Sequence, residues 1–142
     1  MNTQQLYDLA AQLHIPVDHF PLQSREALSL MDGSGRCFIA LDPAKLKNTA
    51  DERTKLSHEL GHCVTGAFYN RYATCDNRRR HENTADKWAV QKLIDLESLD
   101  QAIADGYTEI WELAEHFGVT EPFMRKAVCY YVHGNLATEL YF

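Results

Sequence analysis

The chain is poor in features that would take it to a membrane, a nucleic acid or an oxidising compartment. Its four cysteines, Cys37, Cys63, Cys75 and Cys129, are scattered and form no CxxC pair. That scatter argues for free thiols in a reducing cytoplasm rather than a disulfide framework. No apolar run approaches the length of a membrane span. The opening Met1-Asn2-Thr3-Gln4-Gln5 has no basic region and no apolar segment follows it, so no signal peptide is expected. Bases are scarce. Fourteen Lys and Arg stand against twenty Asp and Glu, a formal net charge of -6. Such a balance offers no general attraction for nucleic acid or an anionic membrane surface. The expectation is a cytoplasmic protein with neither partner.

What is present is ordinary for a globular chain: 45% hydrophobic and 24% charged residues. At 142 residues there is enough for one compact domain with a core, not for two. One stretch stands out, Leu56-Ser57-His58-Glu59-Leu60-Gly61-His62. On a helix, residues four apart share a face, so His58 and His62 can offer two imidazoles to one ion. Glu59 lies beside the first, where its carboxylate can serve as general base for a water at that ion. This is the HExxH arrangement of zinc peptidases. It carries weight only with a helix around it and a third ligand elsewhere.

The rest of the chain supplies a scaffold. Leu6, Leu9, Ala10 and Leu13 recur at helical spacing behind Thr3, a candidate N-cap. Ile15-Pro16-Val17 ends that helix, and Pro21 is expected to keep the next stretch irregular. Ala27-Leu28-Ser29-Leu30 and Cys37-Phe38-Ile39-Ala40-Leu41 flank the turn-rich Met31-Asp32-Gly33-Ser34-Gly35-Arg36, the pattern of a β-hairpin. The second strand could bind a peptide substrate by β-addition. Asn48 or Thr49 can cap the HExxH helix. Its buried stripe is expected at Leu56, Leu60, Cys63, Val64 and Ala67, with His58 and His62 at a cleft rim. Gly61 lowers helix propensity and suits a place where another backbone comes close. Gly66 would end the helix. A loop is expected over Phe68 to Asn77, then a helix from about Arg79 to Leu96.

On that later helix Glu82, Ala85, Asp86, Ala89 and Leu93 share a face. Glu82 and Asp86 repel at i, i+4 unless something positive lies opposite. Three further short helices follow, capped by Ser98, Thr108 and Thr120 and stopped by Asp105-Gly106, Gly118 and Gly134. The last two helices have helix-turn-helix form. From Ser98 to Phe142 the acids outnumber the bases Arg125 and Lys126 seven to two, so DNA binding is not expected.

A catalytic zinc needs three protein ligands and an open position. Metzincins take the third as a histidine six residues past the second, where this chain has Phe68. The thermolysin-like solution is a glutamate on a following helix with an aspartate one turn on. Glu82 and Asp86 have that spacing. Glu82 would be the third ligand, and Asp86 would accept a hydrogen bond from a ligand histidine. His81 is the rival ligand, although it projects about 100° away. The competing reading pairs Glu82 and Asp86 with Arg78 or Arg79. Candidates to stabilise an oxyanion are Tyr69, Tyr72, His81 and His116.

These motifs make the sequence resemble the ImmA/IrrE metallopeptidases. The resemblance lies in Phe38-Ile39-Ala40-Leu41, the helix from Arg53 to His62, Glu82-Asn83-Thr84-Ala85-Asp86-Lys87-Trp88-Ala89, and Glu112-Leu113-Ala114-Glu115-His116-Phe117-Gly118-Val119. It implies a small cytoplasmic zinc peptidase of bacterial or phage origin, whose substrate is a helix-turn-helix repressor controlling mobile-element or stress genes. It implies His58, His62 and Glu82 as ligands and Glu59 as base. The fold expected is α+β and mainly helical: a single zincin-like domain, residues 1–142, with a small antiparallel sheet. Residues 1–97 would form the core and 98–142 a C-terminal helix-turn-helix-like helical part. Where relatives carry a Leu-Leu-Met-Pro run, this chain has Val90-Gln91-Lys92-Leu93-Ile94-Asp95, so a different exit from that helix is expected. The alternative function is a non-proteolytic metal-binding regulator that holds a repressor or antitoxin-like partner.

Overall fold

The computed structural model describes residues 1–70 and 72–142. Helix α1 spans Thr3–Gln12. Its cap is Asn2, not Thr3. The Asn2 carboxamide accepts from Gln5 N–H at 2.8 Å, and Gln5 accepts in return from Asn2 N–H at 2.8 Å. This reciprocal box satisfies two donors that a Thr3 cap would leave open.

The stretch after Pro16 is not wholly irregular. Val17–His19 forms strand β1, followed by β2 (Ala27–Met31) and β3 (Cys37–Leu41). The sheet order is β1-β3-β2. Strand β1 runs parallel to β3, with Val17 opposite Ile39, and β2 runs antiparallel to β3, with Ser29 opposite Ile39. The sheet is therefore mixed, not antiparallel as expected. The third strand was hidden because its partner lies about twenty residues away in sequence. The hairpin turn is held by the Asp32 carboxylate, which accepts from Ser34 N–H, Ser34 Oγ–H and Arg36 N–H at 2.7–3.0 Å. Strand β3 is central, so it cannot take an added peptide strand; the edge strands are β1 and β2. Pairing within the hairpin uses the N–H and C=O of Leu28 and Leu30. Those of Ala27, Ser29 and Met31 therefore point to the open side.

Helix α2, Thr49–Thr65, carries the HExxH. Asn48 caps it, accepting from Asp51 N–H at 2.8 Å, and Gly66 ends it with φ 69°. Its buried face includes Leu56, Ser57, Glu59, Leu60, Gly61 and His62. Cys63 is only partly buried and Val64 is exposed, so the face is rotated from the expected stripe. The cause is α3, which covers the Gly61 side. Helix α3 runs from Cys75 to Leu93 with Thr74 as cap, four residues earlier than expected. The expected loop is shortened accordingly; Arg71 within it lies outside the described residues.

Helix α4 (Leu96–Ala104) is capped by Asp95 rather than Ser98, α5 (Ile110–Phe117) starts after Glu109 rather than Thr108, and α6 (Glu121–His133) follows the expected Thr120 cap. One core joins both halves of the chain: Leu6, Ile39, Leu56 and Leu60 pack with Leu99, Leu113, Phe123 and Met124. Arg53 of α2 ties the α5–α6 turn down, donating from Nη1 to Phe117 O at 3.0 Å and Gly118 O at 2.8 Å. Among the described residues no helix is long and apolar enough to cross a membrane.

Candidate metal centre

Helices α2 and α3 meet closely at Gly61. A Cβ built there would lie 2.5 Å from Ala85 O and 3.0 Å from Ala85 Cα. The absent side chain lets the α3 backbone rest on α2. That approach brings Glu82 and Asp86, one turn before and one residue after Ala85, onto His58 and His62.

The three groups converge. His58 Nε2 and His62 Nε2 are 3.2 Å apart. Glu82 Oε2 is 2.7 Å from His58 Nε2, and Glu82 Oε1 is 3.1 Å from His62 Nε2. Tetrahedral ligands at metal bonds of about 2.0–2.1 Å would be about 3.3 Å from one another, so the observed triangle is close to that of a filled site. The tautomers support this. His58 Nδ1 donates to Asp86 Oδ1 at 2.7 Å, and His62 Nδ1 donates to the Ala67 carbonyl at 2.5 Å. With protons held at Nδ1, both Nε2 lone pairs face a carboxylate and each other. Three electron-rich groups at such distances repel unless a cation or extra protons lie between them. The residues therefore fit a divalent metal.

Without a metal, a proton takes the cation's place between these groups. Burial would lower the His58 pKa, but hydrogen bonds to Asp86 and Glu82 outweigh it and raise it to about 10. Burial would raise the Glu82 carboxyl, but the two imidazoles hold it well below the usual carboxylate range. Burial pushes the Glu59 carboxyl up, while His58, His62 and a hydrogen bond from the Ser29 side chain pull it down. Glu59 is 6% exposed, and its Oε2 is a buried oxygen with no hydrogen-bond partner among the described residues. A buried carboxylate beside two imidazoles has the surroundings in which such groups exchange protons.

The site opens into a cleft of about 880 Å³. One wall is the open edge of β2, another is α3, and a third is the start of α6 through Thr120, Pro122 and Phe123. His58 lies on the cleft wall. His62 also lines it, but at 5% exposure it is buried rather than at the rim. Phe68, the position that rules out a metzincin ligand, packs on the His62 ring.

The four oxyanion candidates part company. Tyr69 lines the cleft and donates from its hydroxyl to Glu82 Oε1 at 3.0 Å. His81 stacks on Tyr69 and does not line the cleft. Tyr72 is 79% exposed. His116 lies against Tyr107 and Phe117, outside the cleft. Of the arginines offered as partners for Glu82 and Asp86, Arg79 pairs with Asp76 and Arg78 sits over the Tyr69 ring.

Lys126 carries no mark in the sequence beyond being one of two bases in an acidic tail. Its Nζ donates to Asp86 Oδ2 at 2.9 Å. No local pattern could have found it, since forty residues separate the pair.

Residues 12–128 match the peptidase family described as the IrrE N-terminal-like domain. No curated protein matches the chain.

Proposed function

The chain belongs to the ImmA/IrrE family of peptidases, and we propose that it is a zinc-dependent endopeptidase acting on a protein, a helix-turn-helix transcriptional repressor. The observation that carries this reading is the buried, unpartnered Glu59 Oε2 beside the His58, His62 and Glu82 triangle. A pure binding module has no need of that oxygen.

His58, His62 and Glu82 would hold the zinc. When bound, the zinc acts as a Lewis acid, acidifying water and polarising a carbonyl. Glu59 takes the proton of the attacking water and passes it to the leaving amine. Asp86 keeps the His58 proton on Nδ1, so that Nε2 presents its lone pair. Tyr69, in the cleft, would donate to the developing oxyanion once its hydroxyl turns from Glu82 Oε1. The open N–H and C=O groups of Ala27, Ser29 and Met31 would pair with an extended substrate and lay its scissile bond along the cleft. We read residues 1–142 as one domain, with 1–97 the zincin-like core and 98–142 the helical part, acting in the cytoplasm where repressors work. The acidic tail speaks against direct nucleic-acid binding.

The second reading is a non-proteolytic regulator that binds a repressor or antitoxin-like partner. The two are separated by incubating the protein with zinc and the repressor encoded beside its gene. Wild type should cleave the repressor. Glu59→Gln should keep its zinc and lose activity by about 10²–10⁴-fold. If the repressor stays intact with wild type yet co-purifies with both forms, the regulator reading replaces the peptidase.

A further inference from the structure

We propose that Lys126 is a positioning residue of the metal centre, acting through Asp86 on His58 and so tying metal affinity to the seating of α6. The inference rests on the reading of His58, His62 and Glu82 as metal ligands.

Three helices contribute to one hydrogen-bonded chain. Lys126 on α6 donates to Asp86 Oδ2 at 2.9 Å, and Asp86 Oδ1 on α3 accepts from His58 Nδ1 on α2 at 2.7 Å. Asp86 is 7% exposed. A buried carboxylate needs partners for both oxygens. One oxygen serves His58, and Lys126 supplies the other. Without that ammonium, the carboxylate could turn about its χ2 and release the imidazole from its fixed plane. The Lys126 backbone is itself anchored. Phe123, Met124 and Ala127 beside it are buried in the core, and the Thr120 cap holds the helix start. The ammonium therefore reaches Asp86 from a fixed base.

Loss of a partner in direct contact with a ligand histidine typically costs about 10–100-fold in metal affinity. Lys126 acts one step further out, so its removal should cost about 5–10-fold. The experiment measures zinc affinity of the full chain by competition with a chromophoric chelator. The proteins are wild type, Lys126→Met, Lys126→Gln, Lys126→Arg, Asp86→Asn, and the Asp86→Asn/Lys126→Met double variant. Thermal unfolding of the metal-free proteins reports the fold, and Lys126→Gln substitutes for Lys126→Met should the apolar side chain prevent folding. Lys126→Met should bind zinc about 5–10-fold more weakly, and Lys126→Arg should stay within about twofold of wild type. In the Asp86→Asn background, Lys126→Met should add no further loss. Wild-type affinity in Lys126→Met overturns the inference, as does an equal loss in the Asp86→Asn background, which would show an effect not routed through Asp86. Failure of the wild type itself to bind zinc is a different result, and it removes the metal-centre reading along with this one.

Discussion

Gly61→Ala tests the packing on which the site depends. Elsewhere in a helix, Gly→Ala stabilises by about 0.5–1 kcal/mol, because alanine has less freedom to lose. Here the new Cβ would stand 2.5 Å from Ala85 O, where ordinary contact begins at 3.4 Å. Helix α3 must therefore retreat by about 0.9 Å, the difference between the two. Overpacking of this kind costs about 1–3 kcal/mol. After the propensity gain, a net loss of about 0–2.5 kcal/mol is expected. The larger effect falls on the ligands. Glu82 and Asp86 ride on α3, and a metal constellation tolerates only about 0.5 Å of displacement. Zinc affinity should fall by about tenfold or more, in line with loss of a supporting contact. Urea unfolding of the metal-free protein measures the first effect and chelator competition the second. The clash is with a backbone carbonyl, so Ala85→Gly should not rescue either. A Gly61→Ala protein that is at least as stable as wild type and keeps its zinc affinity would refute the reasoning.

Two further substitutions probe what holds the site in place. Arg53→Ala removes the two bonds to Phe117 O and Gly118 O and should cost about 2–3 kcal/mol, read as a drop in Tm. Arg53→Lys should recover only part, since one ammonium cannot also replace the Nε–H bond to Thr3 Oγ1. At Asp42, a hydrogen bond from Leu22 N–H, opposed by burial and reinforced by Ala44 N–H, lowers the carboxyl below its ordinary 3.8. Its folded pKa is thus below its unfolded one. The contribution to stability is complete above 3.8 and is lost as pH falls toward the folded value. Asp42→Asn should be less stable at neutral pH and lose less stability on acidification, and urea midpoints against pH that parallel wild type would count against this.

Local pattern carried much of this protein. The i, i+4 spacing of His58 and His62, and of Glu82 and Asp86, put each pair on one helix face without reference to anything distant. The Asn48, Thr120, Gly66, Gly118 and Gly134 helix ends were legible because capping is chemistry between neighbours. Gly61 signalled a close approach by costing helix propensity at a position where alanine would otherwise serve. Other elements were out of reach. Strand β1 exists only because β3 offers it a parallel edge, and three residues with Pro16 before them carry no period of their own. The rotation of the buried face of α2 depends on where α3 lands. Tyr69 and His116 were equal candidates in sequence, and only their placement separates them, one in the cleft and one against Tyr107. Lys126 is the plainest case. Nothing near it in the chain distinguishes it from a solvated lysine, and its role follows from three helices meeting at one carboxylate. Sequence alone determined that His58 and His62 could share a metal, because their spacing is a local property of one helix, while Glu82 joins them only where α3 packs on α2. Tertiary structure decided what surrounds and orients them, because those partners lie far away along the chain and meet only when the core forms.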